Sequence, residues 1–143
     1  MMPNVGDLKT REVTVVADMA AKSSGKDPGE AYPAVLSTPS LVSEMERAAA
    51  ALLQDSLGEG QVSVGVAVDI SHLAPTPIGH QLRSHARFAA REGKLFCFDV
   101  WSEDASGVVG TGKHSRAIVE IVRIESAAAG RLKAFPVPVA EKQ

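Results

Sequence analysis

Between residues 61 and 72, in QVSVGVAVDISH, the chain alternates with a period of two. Val62, Val64, Val66, Val68 and Ile70 take turns with Ser63, Gly65, Ala67, Asp69 and Ser71. That pattern predicts a strand with one buried face, and His72 continues the buried phase at its far end. The stretch before it, LSTPSLVSEMERAAAALL, repeats every three to four residues instead. At 100° per residue Leu41, Val42, Met45, Ala48, Ala49, Leu52 and Leu53 share one arc, predicting a helix of about 18 residues and roughly 27 Å. Thr38 before Pro39 reads as its N-cap, and Gly58 as its stop.

Period two governs most of the rest. REVTVVA, residues 11 to 17, reads as a strand rich in valine and threonine. HQLRSHARFAAR alternates Leu82, Ala86 and Phe88 with Gln81, Arg83, His85 and Arg87. EGK turns into LFCFDVWS, and EDASG turns into a last long strand, VVGTGKHSRAIVEIVRIE. Gly110 and Gly112 in that strand point to a bulge or a close backbone approach, so its faces stay unassigned. AKSSGKDPGEAYP, residues 21 to 33, has the composition of a long surface loop, with Tyr32 as the aromatic able to fold back over a site.

The order is strand, loop, long helix, then four strands joined by hairpin-length turns. It predicts an α+β domain over residues 1–143, an antiparallel sheet with one long central helix. Its core should run over about 9–125, with the tail 126–143 loosely held. One helix covers one face of the sheet. The other still carries Trp101 and Leu95, so a homodimer or a tetramer is expected.

Composition narrows the function. A net charge of −2 argues against nucleic acid as a partner. No apolar run approaches the roughly 18 residues of a membrane span. The start, MMPNVGDLKTREV, lacks the basic and apolar regions of a secretory signal, and Cys97 is the single cysteine. A cytoplasmic protein is the expectation. The four histidines show no i, i+4 pair, and one cysteine cannot build a zinc site, so neither metal nor cofactor is expected.

One residue in the helix is out of place. Glu44 has Arg47 three positions on as a surface partner, but Glu46, at the margin of the apolar arc, has no lysine or arginine three or four away. A partly buried carboxylate without a partner is desolvated at a cost, and only a group off the helix can offset it. His72, in the buried phase of the next strand, is the candidate. Bland alternatives exist for each residue singly: Glu46 as a solvated margin, His72 as a strand terminus, Thr38 as a cap, Gly65 as packing relief, Arg116 as surface charge.

Taken together, LSTPSLVSEMERA, VGVAVDISHLAPTPIG and GTGKHSRAIV resemble the thioesterase group typified by fluoroacetyl-CoA thioesterase, of hot-dog fold. That group carries a threonine at the helix start, a glutamate eight positions on and a histidine twenty-six further, intervals that Thr38, Glu46 and His72 reproduce. Its glycine and arginine correspond to Gly65 and Arg116. The resemblance implies an acyl-CoA thioesterase with Thr38, Glu46 and His72 as catalytic residues, and with Gly65, Arg116 and Tyr32 binding substrate. Coenzyme A would be part of the substrate. An acyl-thioester hydratase and a non-catalytic acyl-CoA-binding protein are the rivals; the threonine favours hydrolysis. The family's lid is lined by phenylalanine, where this chain has Tyr32 and Gly29, which counts against fluoroacetyl-CoA selectivity. On sequence alone, Glu46→Gln should be nearly inactive and at least as heat-stable as the parent, with Glu44→Gln a harmless control.

Overall fold

One long helix lies across a five-stranded antiparallel sheet in the computed structural model, which describes residues 1–138. The strands are β1 (Leu8–Thr14), β2 (Gln61–His72), β3 (Gln81–Glu92), β4 (Leu95–Asp104) and β5 (Gly107–Glu120). The long helix is α1 (Thr38–Leu53), and a second, α2 (Ile121–Arg131), follows β5. Sheet order is β1-β3-β4-β5-β2, so β1 and β2 are the edges. This is the hot-dog arrangement expected. The periodic arc of α1 (Leu41, Met45, Ala48, Ala49, Leu53) is buried against Phe88, Phe96, Phe98 and Val100 of the sheet. Each large side chain fully buried there stabilises the fold by about 1.5–3 kcal/mol.

β2 departs from its simple alternation. A bulge between Gly65 and Ala67 shifts its register against β5. Residues directly opposite one another share a sheet face. Val62 and Val64, opposite Val119 and Ala117, therefore lie on the face away from α1, with Leu95. Val68, Ile70 and His72, opposite His114, Gly112 and Gly110, lie on the helix face. One inserted residue has turned the strand over, and Val66 within the bulge is 53% exposed. The five apolar residues therefore do not share one face.

Several boundaries moved. β1 starts three residues earlier than predicted, because an edge strand can be polar: LKTREVT is mostly exposed and was masked by the valines after it. The last strand stops at Glu120, and residues 121–131 form α2 instead of strand and tail. Ile121 and Ile124 sit at helical spacing, and Ala127, Ala128 and Ala129 favour helix, which a period-two count over 108–125 passes over. α2 has no buried residue. Of the expected tail, residues 139–143 lie outside the described residues.

Glu44 is not a surface residue. Two positions apart on a helix means about 200° of rotation, so Glu44 and Glu46 face opposite sides. Glu44 is 5% exposed, and its carboxylate accepts from Arg11 Nε at 2.9 Å and from Arg47 Nη1 at 3.4 Å, tying α1 to β1. Glu44→Gln should lose about 1–3 kcal/mol of stability with turnover unchanged, the half-exposed arginines tempering the loss. Urea unfolding and a rate assay on one preparation check this; unaltered stability would refute it.

Candidate active site

The predicted site residues fall into two groups at different points along α1. The first is at its start. Ser37, not Thr38, is the N-cap: its Oγ accepts from the Ser40 N–H at 3.1 Å. Thr38 is thus the first helical residue, and its hydroxyl is free for another task. It lies 2.7 Å from His72 Nδ1. A close approach makes this possible. Gly110, opposite His72 on β5, is where a Cβ would stand 2.9 Å from both Leu41 Cδ2 and the Ser71 carbonyl. Its missing side chain lets the first turns of α1 settle onto the sheet. His72 Nε2 is buried and has no partner among the described residues. An open depression of about 230 Å³ beside it is lined by Val35, Leu36, Leu73, Ala74 and Pro75.

The second group surrounds Glu46, two turns further on. Its Oε2 lies 3.4 Å from Arg116 Nη1 and 3.9 Å from His114 Nε2, and its side chain is 35% exposed. The off-helix partner that the sequence required is therefore Arg116, and His72 bonds Thr38 instead. Gly65 has a specific job here: a Cβ would meet Glu46 Oε2 at 2.6 Å. Any side chain at residue 65 displaces the carboxylate. Arg116 is 8% exposed and largely committed. Nε donates to Ser63 Oγ at 3.0 Å and Nη2 to the Ser63 carbonyl at 2.8 Å, which anchors the guanidinium to β2.

His114 completes this group, and sequence reasoning missed it along with Ser63. Its Nδ1 is 2.8 Å from the Ala67 carbonyl, an acceptor only, so that nitrogen carries the proton. Burial holds its pKa below the ordinary histidine value, against the opposing pull of the Ala67 carbonyl, so the ring is neutral at neutral pH. Nε2 then bears a lone pair and accepts from Arg116 Nη1 at 3.2 Å. The approach to Glu46 is not an ion pair. Burial also lowers the pKa of Arg116, and Glu46 counters it. The signal for His114 existed: in HSR, residues two apart on a strand share a face.

Tyr32 is 47% exposed, and its ring edge stands beside Gly25 of its own loop. That loop is pinned at its ends by bridges from Ala20 to Leu36 and from Val35 to Pro77. Among the described residues, no three His, Cys, Asp or Glu side chains form a group that could hold a metal ion.

Comparison with known proteins gives one answer. The family model for FlK, fluoroacetyl-CoA-specific thioesterase, matches residues 15–122. The fluoroacetyl-CoA thioesterase of Streptantibioticus cattleyicolor is 28% identical over 95 residues, which is 66% of this chain and 68% of that protein. Among solved structures, a variant of the fluoroacetyl-CoA-specific thioesterase FlK matches with a TM-score of 0.82 at 25% identity, covering 90% of this chain and 96% of that one. A thioesterase superfamily member from Thermus thermophilus matches with a TM-score of 0.81 at 26% identity, over 94% of this chain and 96% of its own.

Proposed function

Since the chain belongs to the fluoroacetyl-CoA-specific thioesterase family, we propose that it hydrolyses acyl-CoA thioesters at a site built from Thr38 and His72 of one protomer and Glu46 of its partner. The observation that carries this reading is the division of the catalytic set within one chain. Eight helical residues separate Thr38 from Glu46 by about 12 Å, too far for both to act on one carbonyl. A two-fold axis offers the missing half from a second copy. β2 is a free edge of twelve residues, with Val66 and Val68 53% and 43% exposed, and pairing two such edges covers both. The far sheet face, with Trp101 and Leu95, is where dimers would stack into a tetramer.

A thioester carbonyl needs an attacking oxygen, a group to take its proton, and donors where negative charge develops. Glu46 supplies the carboxylate, as base toward water or as the attacking oxygen itself. Either route consumes one water and yields free acid and CoA thiol. Arg116 grips that carboxylate from behind, and Gly65 leaves it room. Thr38 lies in the first turn of α1, where unpaired N–H groups favour a developing oxyanion, and His72 orients its hydroxyl. The modest depression beside His72 suits a short acyl group. A cytoplasmic setting fits the lone thiol of Cys97, whose pKa is pushed up to about 11 chiefly by its hydrogen bond to Glu92. Among the described residues, no helix is long and apolar enough to cross a membrane.

The test is a panel of acyl-CoAs of increasing chain length, fluoroacetyl-CoA included, with a thiol reagent and mass analysis of the products. Thiol release from the short members is expected, undiminished by EDTA and without preference for fluoroacetyl-CoA. A product heavier by one water with its thioester intact would make the protein a hydratase. Tight binding without any product would make it a carrier or sensor.

A further inference from the structure

His114 is the most buried of the four histidines, at 3% exposure, yet the reaction above gives it no task. Its surroundings are specific. From β2, the carbonyl of Ala67, just past the bulge, accepts its Nδ1–H. From β5, Arg116 donates to its Nε2. From α1, Glu46 Oε2 stands 3.9 Å away, and from β4 the Phe98 ring lies at 6.4 Å between centroids. Arg116 Nη1 has two hydrogens, and both are used, one on Glu46 and one on His114.

We propose that His114 is a positioning residue for hydrolysis: as a hydrogen-bond acceptor it sets the direction of Arg116 Nη1, and through it the orientation of the Glu46 carboxylate. The proposal rests on Glu46 being the catalytic carboxylate. The physical argument concerns directions. A guanidinium held only at Ser63, through Nε and Nη2, keeps its charge near Glu46 but can tilt about that anchor. A second acceptor on Nη1 removes the tilt, because the two N–H bonds of one planar nitrogen point about 120° apart. A side chain chosen only to fill space needs no acceptor there. A charged imidazolium would repel Arg116, and burial among Phe98, α1 and the sheet keeps the ring neutral.

Two substitutions separate the two edges of the ring. Asn places a donor where Nδ1 was and nothing at Nε2, so His114→Asn keeps the Ala67 bond and loses the acceptor. Gln reaches the Nε2 position with an oxygen that accepts and never titrates. His114→Asn is expected to lower kcat about 10- to 100-fold with KM within about twofold, as for a small misplacement of a catalytic group. His114→Gln should recover most of that rate. In a Glu46→Gln background, His114→Asn should cause no further loss, because its effect passes through the carboxylate. Equal losses in the Asn and Gln variants, or a loss that multiplies undiminished with that of Glu46→Gln, would overturn the proposal. If His114→Asn does not fold, a folded His114→Gln that has lost tenfold or more in kcat overturns it as well. A Glu46→Gln enzyme with parental activity instead removes the site reading itself, whatever His114 does.

Discussion

Glu46→Gln is expected to lower turnover on the best acyl-CoA by about 10²–10⁴-fold, the range for losing an essential base or nucleophile. The amide keeps the shape of the carboxylate and its place above Gly65, where Oε2 occupies space that a Cβ would take. What disappears is the charge and the basicity. The rate of thiol release per protomer, at saturating substrate, reads the effect. The stability expectation changes with the structure. Sequence alone makes the amide neutral or helpful, because it treats Glu46 as unpaired. In the fold, the carboxylate faces a guanidinium that is 8% exposed, and removing it strips a buried cation of its counter-charge. A loss of about 1 kcal/mol is expected, held low because the Glu46 side chain is 35% exposed. Glu44 cannot serve as the control, since it is the more deeply buried of the two. Glu59, exposed after the helix, can: Glu59→Gln should leave rate and stability unchanged. Parental turnover in Glu46→Gln would mean that Glu46 is a bystander.

What the sequence conveyed, and what it withheld, follows from the range of the interactions. α1 and the four strands after it were legible because burial of one face imposes a period on neighbouring residues. The loop and turn residues between them were legible for the same local reason. The bulge in β2 was not, because one extra residue leaves the string of valines looking unbroken while reversing their faces. The cap was misread by one position: Ser37 and Thr38 are both good caps, and only the bond to Ser40 decides between them. That single step frees the Thr38 hydroxyl for His72. Glu46 was flagged by its lack of a local partner, but the partner the fold gives it lies seventy residues on, beyond three intervening strands, in β5. Local pattern cannot pair them. The family's intervals named Arg116 as a binding residue, whereas the fold turns its charge inward, toward Glu46. His114 was hidden because Gly110 and Gly112 blurred the phase of β5.

Mixing two inactive variants should restore activity. Thr38→Ala removes one half of the proposed site and Glu46→Gln the other, and each variant alone is expected to be nearly inactive. In a dimer with one chain of each kind, one of the two sites combines Thr38 and His72 from the Glu46→Gln chain with Glu46 from the Thr38→Ala chain. That site is intact, and its mate lacks both groups. Random exchange at equal amounts makes about half of the dimers mixed, so the mixture should reach roughly a quarter of the parental rate. Exchange needs a dissociation step, so the chains are unfolded and refolded together, with sedimentation confirming that the product has reassembled into dimers or tetramers. The recovery is large against a background depressed by two orders of magnitude or more. It also distinguishes the composite site from its competitor. If Glu46 works with the Thr38 and His72 of its own chain, every site in a mixed dimer carries one lesion, and no activity returns. A species that sediments as a monomer at micromolar concentration while hydrolysing acyl-CoA would count equally against a site divided between two chains.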